Sequence, residues 1–297
     1  MAERTSTGET AAATRVGVRR TYKLYIGGAF PRSESGRSYP VTSAAGDHLA
    51  NAALASRKDV RDAVVAARKA FPGWSGRAAY NRGQILYRIA EMMEGRRDQF
   101  AAEVAAAEGV TAAQAQALVS AAVDRWVYYA GWADKIGQVL GGANPVSGPY
   151  FNVSDPEPTG VVGVLAPAGS SLLGLVSVLA PVITSGNTAV LVAGERVPLP
   201  AVTLAEALAT SDLPPGVANI LTGRVAELAP PLAGHADVNA LDLTGAGALA
   251  AELEELAAGT LKRVLRPGRD DWADADPGLA RIRPFLEVKT VWHPIGR

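Results

Sequence analysis

The sequence predicts an α/β fold, a Rossmann-like parallel sheet with helices on both faces, preceded by a helical N-terminal region. Two observations carry this reading. Short apolar runs at residues 161–165, 188–192, 218–221 and 240–243 alternate with helical stretches at 172–183, 199–210 and 248–258. Strands alternating with helices give a parallel sheet covered on both sides. Upstream of this pattern, four segments carry apolar residues at helical spacing, and residues 141–158, rich in Gly, Pro, Ser and Asn, divide the two regions.

Residues 22–30 read YKLYIGGAF, and the aromatic and β-branched residues around Gly27-Gly28 predict a short hairpin, with a second extended run over 37–41. Ser56 stands three residues before Asp59, ahead of Val60, Val64, Ala67 and Phe71. Ser56 is therefore an expected N-cap, with Asp59 in the first turn where the helix dipole favours negative charge. Pro72-Gly73 is expected to stop this helix. A second helix over 80–95 carries Ile85, Ile89, Met92 and Met93 on one face. A third covers 97–108 and ends at Gly109. A fourth, over 111–136, carries Leu118, Ala122, Trp126 and Tyr129. The Met and aromatic stripe reads as core rather than as a cofactor box. Residues 141–158 read as a linker or an extended arm. Residues 266–277 are charged and turn-prone, and Asp270, Asp271, Asp274 and Asp276 read as a solvated loop. Residues 285–292, FLEVKTVW, alternate as a strand does.

Composition narrows the function. The 297 residues are 48% hydrophobic and 20% charged, with 29 basic and 29 acidic side chains. This balance, without a dense basic block, points away from a nucleic-acid partner. The longest apolar stretch, 172–183, is far short of the ~20 residues that span a bilayer, so no membrane partner is expected. Residues 1–20 lack the apolar core of a signal peptide and read as a disordered tail. There are no cysteines, which excludes disulfides, thiolate metal sites and a cysteine nucleophile. It also fits a reducing cytoplasm, the expected location. His48, His235 and His293 are scattered without metal-like spacing, so no metal site is expected.

Several blocks, in order, resemble the aldehyde dehydrogenase superfamily. Residues 160–167, GVVGVLAP, look like its first nucleotide-binding strand, and 181–191, PVITSGNTAVL, like its next helix end and strand. Residues 213–223, LPPGVANILTG, match a loop and strand at the same interval. Leu243-Thr244-Gly245 falls where the family has a Phe-Thr-Gly turn, and 287–295, EVKTVWHPI, resemble the C-terminal strand of many bacterial members. The resemblance implies an NAD-type cofactor domain, a catalytic domain and a small sheet of oligomerisation strands. It implies the following organisation: tail 1–20; hairpin and helices 21–140 packing on the cofactor-type domain; oligomerisation arm 141–158; Rossmann-like domain 159–265; a linker in place of the catalytic domain, 266–284; and an oligomerisation strand 285–297.

The departures from that family are chemical. Its thiolate nucleophile has no counterpart here. Gly169 stands where the family places an oxyanion-holding Asn. Its Glu-Leu-Gly-Gly-Lys motif, which carries the general base, is replaced by Leu265-Arg266-Pro267-Gly268-Arg269. The Lys-Pro-Ala-Glu run at the adenine ribose becomes Val192-Ala193-Gly194-Glu195, and the Gly-Ser-Thr turn at the pyrophosphate becomes Gly245-Ala246-Gly247. No catalytic residue is therefore assigned. Glu195, Gly245 and Gly247 remain as vestigial cofactor-binding positions, with backbone N–H groups that could face an anion. No cofactor is expected. The resulting expectation is a non-catalytic subunit, a pseudoenzyme that assembles with a full-length aldehyde dehydrogenase or with itself. The alternatives are an NAD-dependent aldehyde dehydrogenase completed by a partner, and a stand-alone nucleotide-binding or regulatory module.

Overall fold

The computed structural model describes residues 20–268, 272–274 and 276–296. Residues 1–19 of the expected tail, together with Asp270 and Asp271 of the acidic run, lie outside the described residues. The chain opens with β1 (Thr21–Tyr22), β2 (Ser38–Thr42) and β3 (His48–Ala53), a sheet in the order β1-β3-β2. Five helices follow: α1 (Arg57–Ser75), α2 (Ala79–Glu94), α3 (Arg97–Glu108), α4 (Ala112–Trp132) and α5 (Ile136–Leu140). After β4 (Gly142–Asn144) and β5 (Tyr150–Pro158) comes the alternating region. It runs β6 (Val161–Leu165), α6 (Leu173–Thr184), β7 (Thr188–Val192), α7 (Leu199–Ala209), β8 (Ala218–Leu221), α8 (Val225–Ala233), β9 (Ala240–Asp242), α9 (Ala250–Ala258) and β10 (Arg263–Leu265). The last strand is β11 (Leu286–Pro294).

The five strands β6 to β10 form one parallel sheet in the order β10-β9-β6-β7-β8. Successive side chains of a strand point to opposite faces, and the core divides accordingly. Val162, Val164, Ala189, Leu191 and Ile220 join a cluster with α2, α3, α4, α6 and α7. Val161, Leu165, Val190, Val192 and Leu241 join a second cluster with α1, α8 and α9. Every residue of α6 is buried, as suits a helix enclosed between the sheet and α4.

Local chemistry sets the amino ends of α1 and α4. The Ser56 hydroxyl accepts from the Lys58 and Asp59 amides, and the Asp59 carboxylate accepts from the Ser56 amide, a complete capping box worth about 1 kcal/mol. Thr111 and Gln114 cap α4 in the same way. The expected stop at Pro72-Gly73 does not occur, and α1 continues through Pro72 to Ser75. Trp74 explains the difference: it is fully buried, and its indole N–H donates to the Ile183 carbonyl at 2.9 Å, so tertiary packing outweighs the N–H that proline forfeits. The long helix expected over 111–136 ends at Trp132, with α5 as a separate turn.

The hairpin at Gly27-Gly28 is reduced to its turn. Ile26 and Ala29 exchange two hydrogen bonds of 3.0 Å, and both glycines have positive φ. Tyr25 pairs instead with Ile220 through bonds of 2.9 and 2.7 Å, closing the β8 edge of the central sheet. Strands β3 and β10 and helix α8 go unread in the sequence. In α8, Pro230 and Pro231 mask a helix whose Leu228, Ala229, Leu232 and Ala233 are all buried.

Residues 141–158 and the final strand are partners within this chain. β11 pairs antiparallel with β5 over nine residues, and β4 pairs with the other side of β5. Between β10 and β11 the chain crosses the α4 side of the sheet as a strap. It leaves the carboxyl end of β10 and reaches Phe285, whose carbonyl accepts from Thr159 and Asn187 beside the amino ends of β6 and β7. Ile282 and Phe285 are fully buried, and Trp272 and Leu279 pack on the same cluster.

Glu103 joins three elements beneath this framework. Its Oε1 accepts from Thr203 at 2.8 Å, Tyr22 at 3.2 Å and Gln99 at 3.3 Å, while its Oε2 is buried without a partner. Burial holds its carboxyl above the usual carboxylate range. The unfolded chain thus loses this proton at lower pH than the folded one. Stability from this group is fully present below the ordinary carboxylate value and falls as pH rises through the raised one. Glu103→Gln removes the titration. The denaturation midpoint of the variant, relative to the parent chain, is expected to climb between mildly acidic and neutral pH. A midpoint difference that shrinks with pH refutes this assignment.

Candidate functional site

In a sheet of this order, the chain reverses direction of winding between β6 and β9, and the crevice lies beyond their carboxyl ends. Three loops meet there. The loop after β6 carries Pro167 to Ser171, the loop after β7 carries Gly194 and Glu195, and the turn after β9 carries Thr244 to Gly247.

Gly245 is placed by packing. Its N–H donates to the Leu165 carbonyl at 2.9 Å, and a Cβ there would overlap the Ala166 carbonyl. Gly247 has a φ of 54° with open space around it, so its requirement is backbone conformation alone. The Ala246 amide donates to Leu243 and the Thr244 amide to Asp242 Oδ1, so three of the amides in this turn are committed within the chain. Glu195 is exposed and lines a cleft of about 400 Å³ with Tyr39, Glu108, Gly169 and Arg196. Gly245 and Gly247 do not line that cleft. Gly169 is exposed and open.

The chain's own side chains bond to one first-turn amide of α6 and to the residue that precedes its N-cap. Ser170 Oγ accepts from the Gly174 amide at 2.8 Å, and Glu108 Oε1 accepts from both the amide and the hydroxyl of Ser171 at 2.6 Å. A carboxylate thereby sits where a helix start would attract an anion. Glu108 was not singled out in the sequence. The local signal was its place as the last residue of α3, next to the left-handed Gly109.

The other group that sequence reasoning missed is Asp242, fully buried at the end of β9. Its Oδ1 accepts from the Thr244 amide at 3.0 Å and the Thr244 hydroxyl at 2.5 Å. Its Oδ2 accepts from Arg281 Nη1 at 2.9 Å. The guanidinium also donates to Thr244 Oγ1 and lies 5.0 Å from the Trp272 ring centroid. Arg125 of α4, itself buried, donates to the Trp272 and Asp274 carbonyls. The Tyr128 hydroxyl donates to Asp276 at 2.6 Å and accepts from the Gly278 amide. That hydroxyl and the Gly278 amide hold the Asp276 carboxyl below its usual range. Asp274 and Asp276 thus anchor the strap to α4. Tyr129 faces the same region, and burial pushes its hydroxyl up to about 12.

The histidines stay apart: His48 contacts Asn51, His235 accepts from the Asp237 amide, and His293 lies on β11. Among the described residues there is no cluster of His, Cys, Asp and Glu able to hold a metal ion, and no helix is long and apolar enough to cross a membrane.

Comparison with known proteins decides the lineage. The sequence profile of the aldehyde dehydrogenase family matches residues 30–266. The chain belongs to the aldehyde dehydrogenase family. It is 34% identical over 248 residues to retinal dehydrogenase 2 of Homo sapiens, covering 82% of this chain and 47% of that protein. It is 34% identical over 246 residues to an aldehyde dehydrogenase of Alternaria alternata, covering 81% and 49%. Among solved structures, an NAD-dependent aldehyde dehydrogenase from Sinorhizobium meliloti superimposes with a TM-score of 0.79 at 28% identity, covering 83% of this chain and 50% of that one. The NAD+ complex of an aldehyde dehydrogenase from Bacillus cereus gives 0.78 at 28% identity, with 82% and 50% covered. This aldehyde dehydrogenase family member spans about half the length of the curated relatives it matches.

Removing one partner of a buried ion pair costs about 3–5 kcal/mol, because the other charge stays buried. Arg281→Met is therefore expected to lower the urea midpoint by that equivalent, and Asp242→Asn in the same chain to restore part of it. An unchanged midpoint in Arg281→Met means that the strap is not held by this pair.

Proposed function

We propose that this chain is a non-catalytic, aldehyde dehydrogenase-like subunit, a pseudoenzyme that assembles in the cytoplasm with a full-length aldehyde dehydrogenase as a structural or regulatory partner. The observation that carries this reading is the absence of any cysteine from the 297 residues. Oxidation of an aldehyde through a hemithioacetal requires a thiolate, which this sequence does not supply. Gly169 offers no side-chain donor for an oxyanion. Beyond β10, where the resemblance places the general-base motif, the chain enters the strap instead.

The crevice also favours a scaffold that does not use NAD. Its Gly245 and Ala246 amides are committed internally, and Glu108 accepts from Ser171 just ahead of α6. What the fold presents outward is the β4–β5–β11 sheet. Tyr150, Val288 and Trp292 share one of its faces and are 43%, 64% and 56% exposed. An exposed apolar face of this kind marks an interaction surface, and in this reading the partner enzyme packs against it.

Co-expression of the tagged chain with the full-length aldehyde dehydrogenases of its own host tests the proposal by native mass measurement. A complex of defined stoichiometry, weakened at least tenfold by Trp292→Glu, is expected. Recovery of the chain without any of these enzymes overturns it.

A further inference from the structure

We propose that a cleft between the start of α1 and helices α8 and α9 binds an amphiphilic monocarboxylate, its charge held by Arg57 and Arg61 and its apolar body lying on Pro230, Pro231 and Leu256. The proposal stands apart from the partner-subunit reading, which uses the β4–β5–β11 sheet.

The cleft measures about 860 Å³, a size that suits a small organic ligand, since such pockets run from roughly 300 to 1,000 Å³. It is distinct from the crevice beyond β6 and β9: Glu195, Gly245 and Gly247 do not line it. Its cationic wall comes from α1. Arg57 and Arg61 stand four residues apart and so share one face of that helix. Lys58 is engaged by Glu34 at 3.4 Å, and Arg61 by its neighbour Asp62 at 2.7 Å. Arg57 is exposed and has no ion pair among the described residues. The Lys58 and Asp59 amides are already capped by Ser56, so side chains, not the helix end, present the charge. Helices α8 and α9 supply the apolar wall. Pro230 and Pro231 bring no N–H groups to it, and Leu256 is 39% exposed there.

Charge selects the head group. Arg57, Lys58 and Arg61 against Glu34 and Glu227 leave one positive charge on the lining. The partners outside the lining, Asp62 on Arg61 and Arg224 on Glu227, cancel each other. His235 adds no charge: burial holds its ring below the usual range. Its Nδ1 accepts from the Asp237 amide at 3.1 Å, so the neutral ring carries its proton on Nε2 and offers a donor. One carboxylate balances the surplus. A phosphate dianion would bring a second charge that meets Glu34 and Glu227, and an alcohol would leave Arg57 without a counter-charge.

Titration calorimetry of the full chain, alone and at mildly alkaline pH, with octanoate, octan-1-ol and octyl phosphate tests the assignment. Octanoate is expected to saturate one site per chain in the millimolar range or below, with the alcohol and the phosphate bound at least tenfold more weakly. Arg57→Gln combined with Arg61→Gln is expected to weaken octanoate at least tenfold, the loss that follows removal of a charged hydrogen bond. Leu256→Asp, which sets a carboxylate on the apolar wall, is expected to do the same. Both variants are expected to keep the circular dichroism spectrum of the parent chain. Arg88→Gln, an exposed arginine of α2 outside the cleft, is expected to leave octanoate binding unchanged. No saturable octanoate binding overturns the proposal, as does an alcohol or a phosphate bound as tightly as octanoate. Octanoate binding that survives either the arginine pair or Leu256→Asp overturns it too. Because the chain is titrated without a partner, each of these failures leaves the subunit reading standing.

Discussion

A carboxylate sealed inside a protein requires a cation or donors to hold it, and here that requirement falls at the carboxyl end of β9. Asp242 is fully buried there, and Arg281 reaches it from the strap at 2.9 Å. The pair fixes more than itself. It brings the strap to the α4 side of the sheet, where Trp272, Leu279, Ile282 and Phe285 close the largest of the three core clusters. Arginine suits the position: its planar donors engage Asp242 and Thr244 together while the same plane lies near Trp272.

The crevice follows a similar logic, with polar groups turned inward. The turn after β9 is pressed against β6 so closely that only glycine fits at 245. The segment just before α6 takes a carboxylate from α3, on the amide and hydroxyl of Ser171. A family scaffold is thus retained in strand order and core, while the Thr244, Gly245 and Ala246 amides of the turn after β9 bond to the chain itself.

The central fold was legible because its signals are local. Continuous apolar runs marked β6 to β9, and Ser56 with Asp59 marked the start of α1 through their own hydrogen bonds. The missing elements were those fixed by distant partners. β10 is three residues long and becomes a strand through its pairing with β9. α8 is helical despite two prolines because its other face is buried. α1 passes Pro72 because Trp74 finds Ile183, 109 positions away. The candidate site shows the same division. Glycines 245 and 247 could be read from a turn pattern. Asp242 and Arg281 lie 39 positions apart, and nothing in their spacing joins them. The acidic run of the strap read as solvated loop, and Asp274 and Asp276 are exposed; what their sequence did not show is that the Asp274 carbonyl and the Asp276 carboxylate meet Arg125 and Tyr128 because α4 lies alongside.

The central claim is that a family scaffold has been kept without the groups that oxidise an aldehyde. The most direct measurement is NADH formation by the purified full chain, alone, with NAD and a range of aliphatic and aromatic aldehydes. The account predicts no NADH above the protein-free control at any chain concentration. NADH accumulating in proportion to the amount of chain would contradict it.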